Sequence, residues 1–148
     1  MEYVDKIIEK YSFDKSHLIA ILQDIQSVDG YLKKDVLFYL SEKLDIPIGH
    51  IYRIATFFKA FSLSPRGKYI IQVCLGTACH VRGGDKVLEE LKRELKIKEG
   101  ETTSDSKFTL ETVNCLGACA LGPVVVVNDK YHGNVIPSDV KKIISQYK

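Results

Sequence analysis

No apolar run in this chain approaches the roughly 20 residues that cross a bilayer; stretches such as Val124 to Val127, behind Pro123, are far too short. Direct membrane insertion is therefore not expected. Missing too is a positively charged start followed by an apolar stretch and a small-residue cleavage site. Without that pattern no signal peptide is expected, the protein is placed in a reducing cytoplasm, and structural disulfides become an unexpected use of its cysteines. An excess of one charge is lacking as well: 21 lysines and arginines face 19 acidic residues, for a formal net charge of +2. With no Lys/Arg-rich block and no basic stripe interleaved with aromatics, nucleic acid drops out as a partner. Nor is there an internal repeat or a low-complexity tract.

Cysteine is scarce but not scattered. All four lie in two tight pairs, Cys74 with Cys79 and Cys115 with Cys119, spaced C-x4-C, then thirty-five residues, then C-x3-C. Each pair is expected in a glycine-bearing loop that follows a short run rich in β-branched residues, so the two loops read as one metal cage. Thiolates bind zinc and iron alike, yet structural zinc sites usually close on a tighter gap, because each pair grips a single ion. A two-iron cluster is larger, takes two ligands per iron and suits gaps of four and three; plant-type ferredoxins use a four-residue gap within their ligand set. The spacing favours [2Fe–2S] over zinc. The lack of a C-x-x-C dithiol weighs against a third reading, a thiol–disulfide redox protein.

The residues around the sulfurs are small or apolar, in Cys74-Leu75-Gly76-Thr77-Ala78-Cys79 and in Cys115-Leu116-Gly117-Ala118-Cys119-Ala120-Leu121-Gly122. Backbone N–H groups can then approach the sulfurs, with Gly76 and Gly117 at positive φ to aim them. The N–H groups near Gly76, Thr77 and Ala78, and near Gly117 and Ala118, are the candidates for stabilising a reduced, more negative site. Gly83-Gly84-Asp85 is expected to open a helix whose N-terminal dipole favours negative charge nearby.

The first sixty or so residues differ in kind from the rest. Apolar residues recur at helical spacing in four segments: Val4, Ile7, Ile8, Tyr11; Leu18, Ile21, Leu22, Ile25; Val36, Leu37, Leu40, Leu44; and Ile48, Ile51, Tyr52, Ala55. Asp29-Gly30 separates the second from the third, Pro47 stands near the start of the fourth, and Ser16 is the expected N-cap of the second. Ser62 to Gly67, polar and marked by Pro65 and Gly67, forms the expected boundary. Beyond it the pattern reads β-α-β-β-α: a strand Tyr69 to Val73, a helix from about Asp85 to Leu95 whose end is marked by lysines and Gly100, an alternating half-buried strand Lys107 to Val113, and a buried strand Val124 to Val127. A turn at Asn128-Asp129-Lys130, a short strand around Tyr131 to Val135 and a helix after Ser138 complete it. The two cysteine loops leave the ends of two strands and can meet, as in a thioredoxin-like arrangement.

With those residues in place, the sequence resembles a known family. Gly67-Lys68-Tyr69, CLGTACHVRGG from Cys74 to Gly84 and NCLGACALGPVVVVND from Asn114 to Asp129 are similar to the thioredoxin-like [2Fe–2S] ferredoxins. That family includes the E component of respiratory NADH dehydrogenase and the small subunits of NAD(P)-linked hydrogenases and formate dehydrogenases. The similarity extends to Asp29-Gly30-Tyr31-Leu32, Leu44-Asp45-Ile46-Pro47 and Ala55-Thr56-Phe57-Phe58, and so covers nearly the whole length. It implies an α+β protein: an N-terminal four-helix bundle, residues 1–64, followed by a thioredoxin-like [2Fe–2S] ferredoxin domain, residues 65–148. It further implies that Cys74, Cys79, Cys115 and Cys119 ligate one [2Fe–2S] cluster, and that the protein docks on a flavoprotein subunit holding FMN and NAD(P). On this reading it carries single electrons and is not catalytic alone. The expected host is a soluble hydrogenase or formate dehydrogenase with further iron–sulfur subunits, including one that couples NAD(P)H to ferredoxin. The E component of a respiratory NADH-quinone oxidoreductase is the alternative, and a zinc-stabilised interaction module the alternative from another class.

Several neighbours of the site have a plainer reading beside the sharp one. His80 follows a ligand directly, but four cysteines already complete the set, so a surface or supporting role is expected. Arg82 is either a solvated arginine or a charge that offsets the cluster or meets a partner carboxylate. His17, His50 and His132 are expected in structural or exposed positions, and Pro123 fixes the backbone as it leaves the second loop. Phe57, Phe58 and Phe61 are expected as core or interdomain packing, with partner docking the sharper alternative.

Overall fold

Helical periodicity builds the first part of the molecule. In the computed structural model, which describes residues 1–147, the chain divides into two units, Met1–Pro65 and a second that begins at Arg66. The first carries α1 (Glu2–Lys10), α2 (Leu18–Asp29), α3 (Lys34–Leu44) and α4 (Ile48–Phe57). Their apolar stripes share one core, where Ile8, Ile21, Leu22, Ile25, Leu40 and Ile51 are fully buried. Each such side chain contributes about 2 kcal/mol relative to exposure.

Around that core a polar pattern repeats: a tyrosine and a lysine share one aspartate. Tyr3 donates to Asp29 at 2.5 Å, with Lys33 at 2.9 Å. Tyr11 and Lys10 meet on Asp24 at 2.9 and 2.8 Å, and Tyr39 and Lys43 converge on Asp5 at 2.8 and 3.4 Å. Two of these sets join α1 to α2 and the third joins α3 to α1. All three aspartates are held below the usual carboxylate range. Tyr39 is the main cause at Asp5, and Lys10 followed by Tyr11 at Asp24; at Asp29 burial pulls upward, but Tyr3 and Lys33 together outweigh it.

The turns follow local chemistry. Gly30, at φ 78, ends α2 in the left-handed conformation, and Pro47 stands at the N-cap of α4. Ser16 does not cap α2, contrary to expectation. A short 3-10 turn, Lys15–His17, precedes the helix, and Asp14 caps that turn by accepting the Ser16 N–H at 2.8 Å.

The second unit runs β1 (Tyr69–Cys74), α5 (Thr77–Val81), α6 (Gly84–Leu95), β2 (Phe108–Val113), β3 (Val125–Val127), β4 (Lys130–His132) and α7 (Val140–Ser145). The sheet order is β2-β1-β3-β4. β1 and β2 are parallel, a pairing that needs a long crossover, which α6 supplies; the other two pairings are antiparallel. Side chains alternate across the sheet, so Ile71, Val73, Leu110, Val125 and Val127 pack with α6 and α7, through Val87, Leu91, Val140 and Ile143. Cys74, Val124 and Val126 belong to a separate apolar cluster with Cys79.

Two expectations need correcting here. β2 does not alternate: Phe108, Thr109 and Leu110 are all buried and the strand opens only afterwards. Thr109 is enclosed because its hydroxyl meets the Gly67 N–H at 2.6 Å and Thr102 at 2.8 Å. α6 ends at Leu95, as expected, and one of the lysines that follow, Lys96, is its C-cap in the left-handed conformation at φ 55; Gly100 is not. Among the described residues no helix is long and apolar enough to cross a membrane.

Candidate four-cysteine site

The site begins with strand register. β1 and β2 are paired to their last residues, Cys74 opposite Val113, so the backbone leaves both strands from neighbouring points. Such a crevice, outside the carboxyl ends of parallel strands, is where ligand sites on α/β sheets form. Cys74 is the last residue of β1 and Cys79 lies on α5, and both are buried. The first pair is therefore held by a strand end and a helix, with only Leu75 and Gly76 between them, and not by a loop as expected. Cys115 lies in an irregular segment and Cys119 opens a short turn, Cys119–Leu121; both are exposed.

Two neighbouring sulfurs act on the Cys79 thiol. Burial pushes the Cys79 thiol up, a hydrogen bond from the Val124 backbone opposes it, and the neighbouring Cys74 and Cys119 sulfurs push it further up. These are the desolvation and like-charge effects expected where thiols crowd together. Cys115 is held on its own segment, where its sulfur accepts the Gly117 N–H at 3.3 Å. Across the two segments, the Arg82 guanidinium donates to the Cys119 carbonyl at 3.0 Å.

The glycines divide into two kinds. Gly117 has the expected positive φ, 72°. Gly76 does not, at φ −57; it is required by space, since a Cβ there would collide with the Asn114 carbonyl and come within 3.5 Å of Cys74 Sγ. Thr77 and Ala78 form the first turn of α5, and Ala118 precedes the Cys119 turn. Gly84 opens α6 against the carbonyls of Cys79 and Cys74, where a Cβ would lie at 2.9 and 3.0 Å, so it serves close packing.

Sequence reasoning missed two positions. At Gly122 a Cβ would stand 3.0 Å from Cys79 Sγ and 3.3 Å from the Cys119 carbonyl; the Gly-Pro step after the second pair was its only signal. Val124 had none. It joins the two buried cysteines, accepting the Cys74 N–H at 3.1 Å while its own backbone bonds Cys79. Val113, Leu116 and Ala118 pack against this group as partly buried neighbours.

The other candidates fall away from the sulfurs or stand at the rim. His80 is exposed on α5. His17, His50 and His132 are engaged with Asp14, Arg53 and Tyr147. The phenylalanine cluster is split: Phe61 is buried, but Phe57 is 78% exposed, which removes it from the core. Among the described residues no group of three or more His, Cys, Asp or Glu side chains gathers where a single metal ion could sit.

Free thiols at the ends of two parallel strands, on a sheet packed against helices, define a cysteine-site protein of thioredoxin-like fold. The protein belongs to the thioredoxin-like [2Fe-2S] ferredoxin family, whose model matches residues 4–148. The NADP-reducing hydrogenase subunit HndA of Solidesulfovibrio fructosivorans is 42% identical over 144 residues, which are 97% of this chain and 84% of that protein. The E component of the NADH-quinone oxidoreductase of Rickettsia typhi is 39% identical over 150 residues, 99% of this chain and 88% of that one. Among solved structures, an NAD+-reducing [NiFe]-hydrogenase in the air-oxidised state superposes with a TM-score of 0.75 at 22% identity. That match covers 88% of this chain but only 22% of the longer one, and it shows a shared fold.

Proposed function

We propose that Cys74, Cys79, Cys115 and Cys119 hold one [2Fe–2S] cluster, and that the protein is the iron–sulfur electron-transfer subunit of an NAD(P)-linked flavoprotein oxidoreductase. The observation that carries this reading is the delivery of two thiols from each of two neighbouring strand ends. A binuclear cluster asks for two protein ligands per iron. Glycine keeps the space beside the sulfurs open, since a Cβ at Gly122 would stand 3.0 Å from Cys79 Sγ, and one at Gly76 would collide with the Asn114 carbonyl beside Cys115. A mononuclear zinc site usually asks for a tighter gap within each cysteine pair than the four and three residues found here.

Bound there, the cluster would supply one-electron redox chemistry. The protein's own part is to hold sulfur and to shape its surroundings. Backbone hydrogen bonds from Val124 to Cys79 and from Gly117 to Cys115 favour negative charge on those sulfurs. The small side chains of Thr77, Ala78 and Ala118 keep bulk out of the cage, and Val113, Val124 and Val126 exclude water from its inner side.

Residues 1–64 are read as a four-helix bundle attached to the cluster domain, residues 65–148. FMN and NAD(P) are placed in a partner flavoprotein subunit, with the whole assembly in the cytoplasm. Similarity to a protein named as an NADP-reducing hydrogenase subunit supports a hydrogenase host. Similarity to proteins named as the E component of NADH-quinone oxidoreductase supports the second reading.

The test is iron and acid-labile sulfide analysis with EPR on anaerobically purified protein, oxidised and dithionite-reduced. Two irons and two sulfides per molecule, with a signal only after reduction, is the expected result. One zinc, no sulfide and no signal would overturn it.

A further inference from the structure

We infer that Arg82 tunes the cluster site: it fastens the second cysteine segment to the first and places there a positive charge that favours the reduced state. This rests on the [2Fe–2S] reading above.

The chain has four arginines, and three of them are used in ordinary ways. Arg66 pairs with Glu111 at 3.1 Å, Arg93 with Glu90 at 2.7 Å, and Arg53 donates to His50 at 2.8 Å. Arg82 instead gives its guanidinium to the backbone carbonyl of Cys119, 37 residues away in sequence. Among the described residues its charge has no carboxylate partner.

Surrounding sequence makes that charge stand out. Cys74 to Val81 and Asn114 to Val127 contain no lysine, arginine, aspartate or glutamate. Arg82 is thus the first full charge met after the first segment, and it touches the residue that carries one of the exposed thiols of the second. The position is fixed as well. Arg82 is the C-cap of α5, three residues beyond Cys79. The carbonyl it grips also accepts the Gly122 N–H at 3.2 Å, and Gly122 is the glycine that lies against Cys79 Sγ. Backbone and guanidinium together lock the turn that presents Cys119.

Reduction adds one negative charge to a site already negative with four thiolates. A cation at the rim favours the added charge, and because it is exposed the effect is partly screened by water and salt. Replacing it with a neutral group should lower the ratio of reduced to oxidised site by about three- to tenfold at a fixed ambient potential. Tenfold corresponds to about 59 mV for a one-electron couple.

The experiment is an EPR-monitored redox titration of the iron-loaded wild type, Arg82→Lys and Arg82→Gln, at low and high salt, with iron content measured on each. The lysine variant is expected to hold a potential near that of the wild type, because it keeps the charge. The glutamine variant, which keeps a donor but no charge, is expected at lower potential with its iron retained, and the gap should narrow in high salt. Equal shifts in both variants, or no shift in either with iron intact, would overturn the inference. If the glutamine variant fails to hold iron, the lysine variant decides: a wild-type potential with full iron supports the role, and a lowered potential defeats it. A wild type without iron or sulfide sinks the cluster reading itself, whereas a loaded wild type indifferent to Arg82 sinks this inference alone.

Discussion

The helical unit and the sheet unit use their polar groups in opposite ways. In the first, tyrosine, aspartate and lysine side chains meet in three closed sets, each ending on a partner inside the same unit. In the second, backbone groups of Gly117 and Val124 bond the Cys115 and Cys79 sulfurs, Arg82 reaches only the backbone carbonyl of Cys119, and the sulfurs form no disulfide. The reason is geometric. Packed helices share no backbone ladder, so side chains must fix how they lie against each other. Strand ends arrive with their positions already set by the ladder, which leaves the side chains there available for a ligand.

The largest effect that would break this comparison lies at the buried cysteines. Cys79→Ala is expected to reduce bound iron to below about a tenth of the wild-type level, because a buried thiolate ligand has no replacement. Far-UV circular dichroism of the helical unit should stay unchanged, and iron retained at wild-type level would remove Cys79 from the ligand set. Gly76→Ala comes next. Its Cβ meets a backbone carbonyl that cannot move aside, so most of the iron should be lost, while Gly117→Ala costs only about 1 kcal/mol through its positive φ and keeps the cluster. Similar iron content in the two glycine variants would show that space is not what Gly76 provides.

In the helical unit the effects fall on stability. Ile25, with no exposed surface, should lose about 3 kcal/mol on Ile25→Ala, with the EPR line shape of the folded fraction unaltered. Tyr39→Phe removes one hydrogen bond to Asp5 and should cost about 1 kcal/mol. Acid then sharpens the point. Because Asp5, Asp24 and Asp29 titrate lower in the folded protein than in the unfolded one, their contribution is complete above the ordinary carboxylate value of about 3.9. It is lost as pH falls through the lowered folded values. Thermal melts at descending pH should show that loss, more weakly in Tyr39→Phe; equal acid sensitivity in both would separate the tyrosine from the effect.

The smallest effect belongs to Phe57. Being 78% exposed, it should change stability by no more than about 0.5 kcal/mol on Phe57→Ala. Affinity for the proposed flavoprotein subunit should nevertheless fall, as measured by calorimetric titration. An unaltered affinity would leave the ring with no docking role.

What could be read in the sequence follows the length of each pattern. The four long helices were legible because each repeats its apolar stripe over several turns, and the sheet because β-branched runs are bounded by turn residues. The five-residue α5 was not, since a single turn between Gly76 and Arg82 carries no period. The candidate ligand residues stood out because only four cysteines exist. Their inequality was not: spacing says nothing of Cys74 and Cys79 being buried while Cys115 and Cys119 face outward. Gly76 and Gly117 looked alike in sequence, yet one answers to a carbonyl in space and the other to a dihedral. Val124 acts through its backbone alone, to which its side chain gives no clue.

The in-register parallel pair has a consequence for how the protein matures. Partners such as Gln72 and Glu111 are 39 residues apart, and non-local parallel pairing of this kind is slow because the intervening loop must close before any contact rewards it. Until β1 has found β2, the two cysteine segments are strangers on a flexible polymer. A zinc finger can be organised by its own metal, but here the metal would have nothing to organise around. On the [2Fe–2S] reading, iron delivery is thus expected to wait for folding, with the metal presented to a finished sheet.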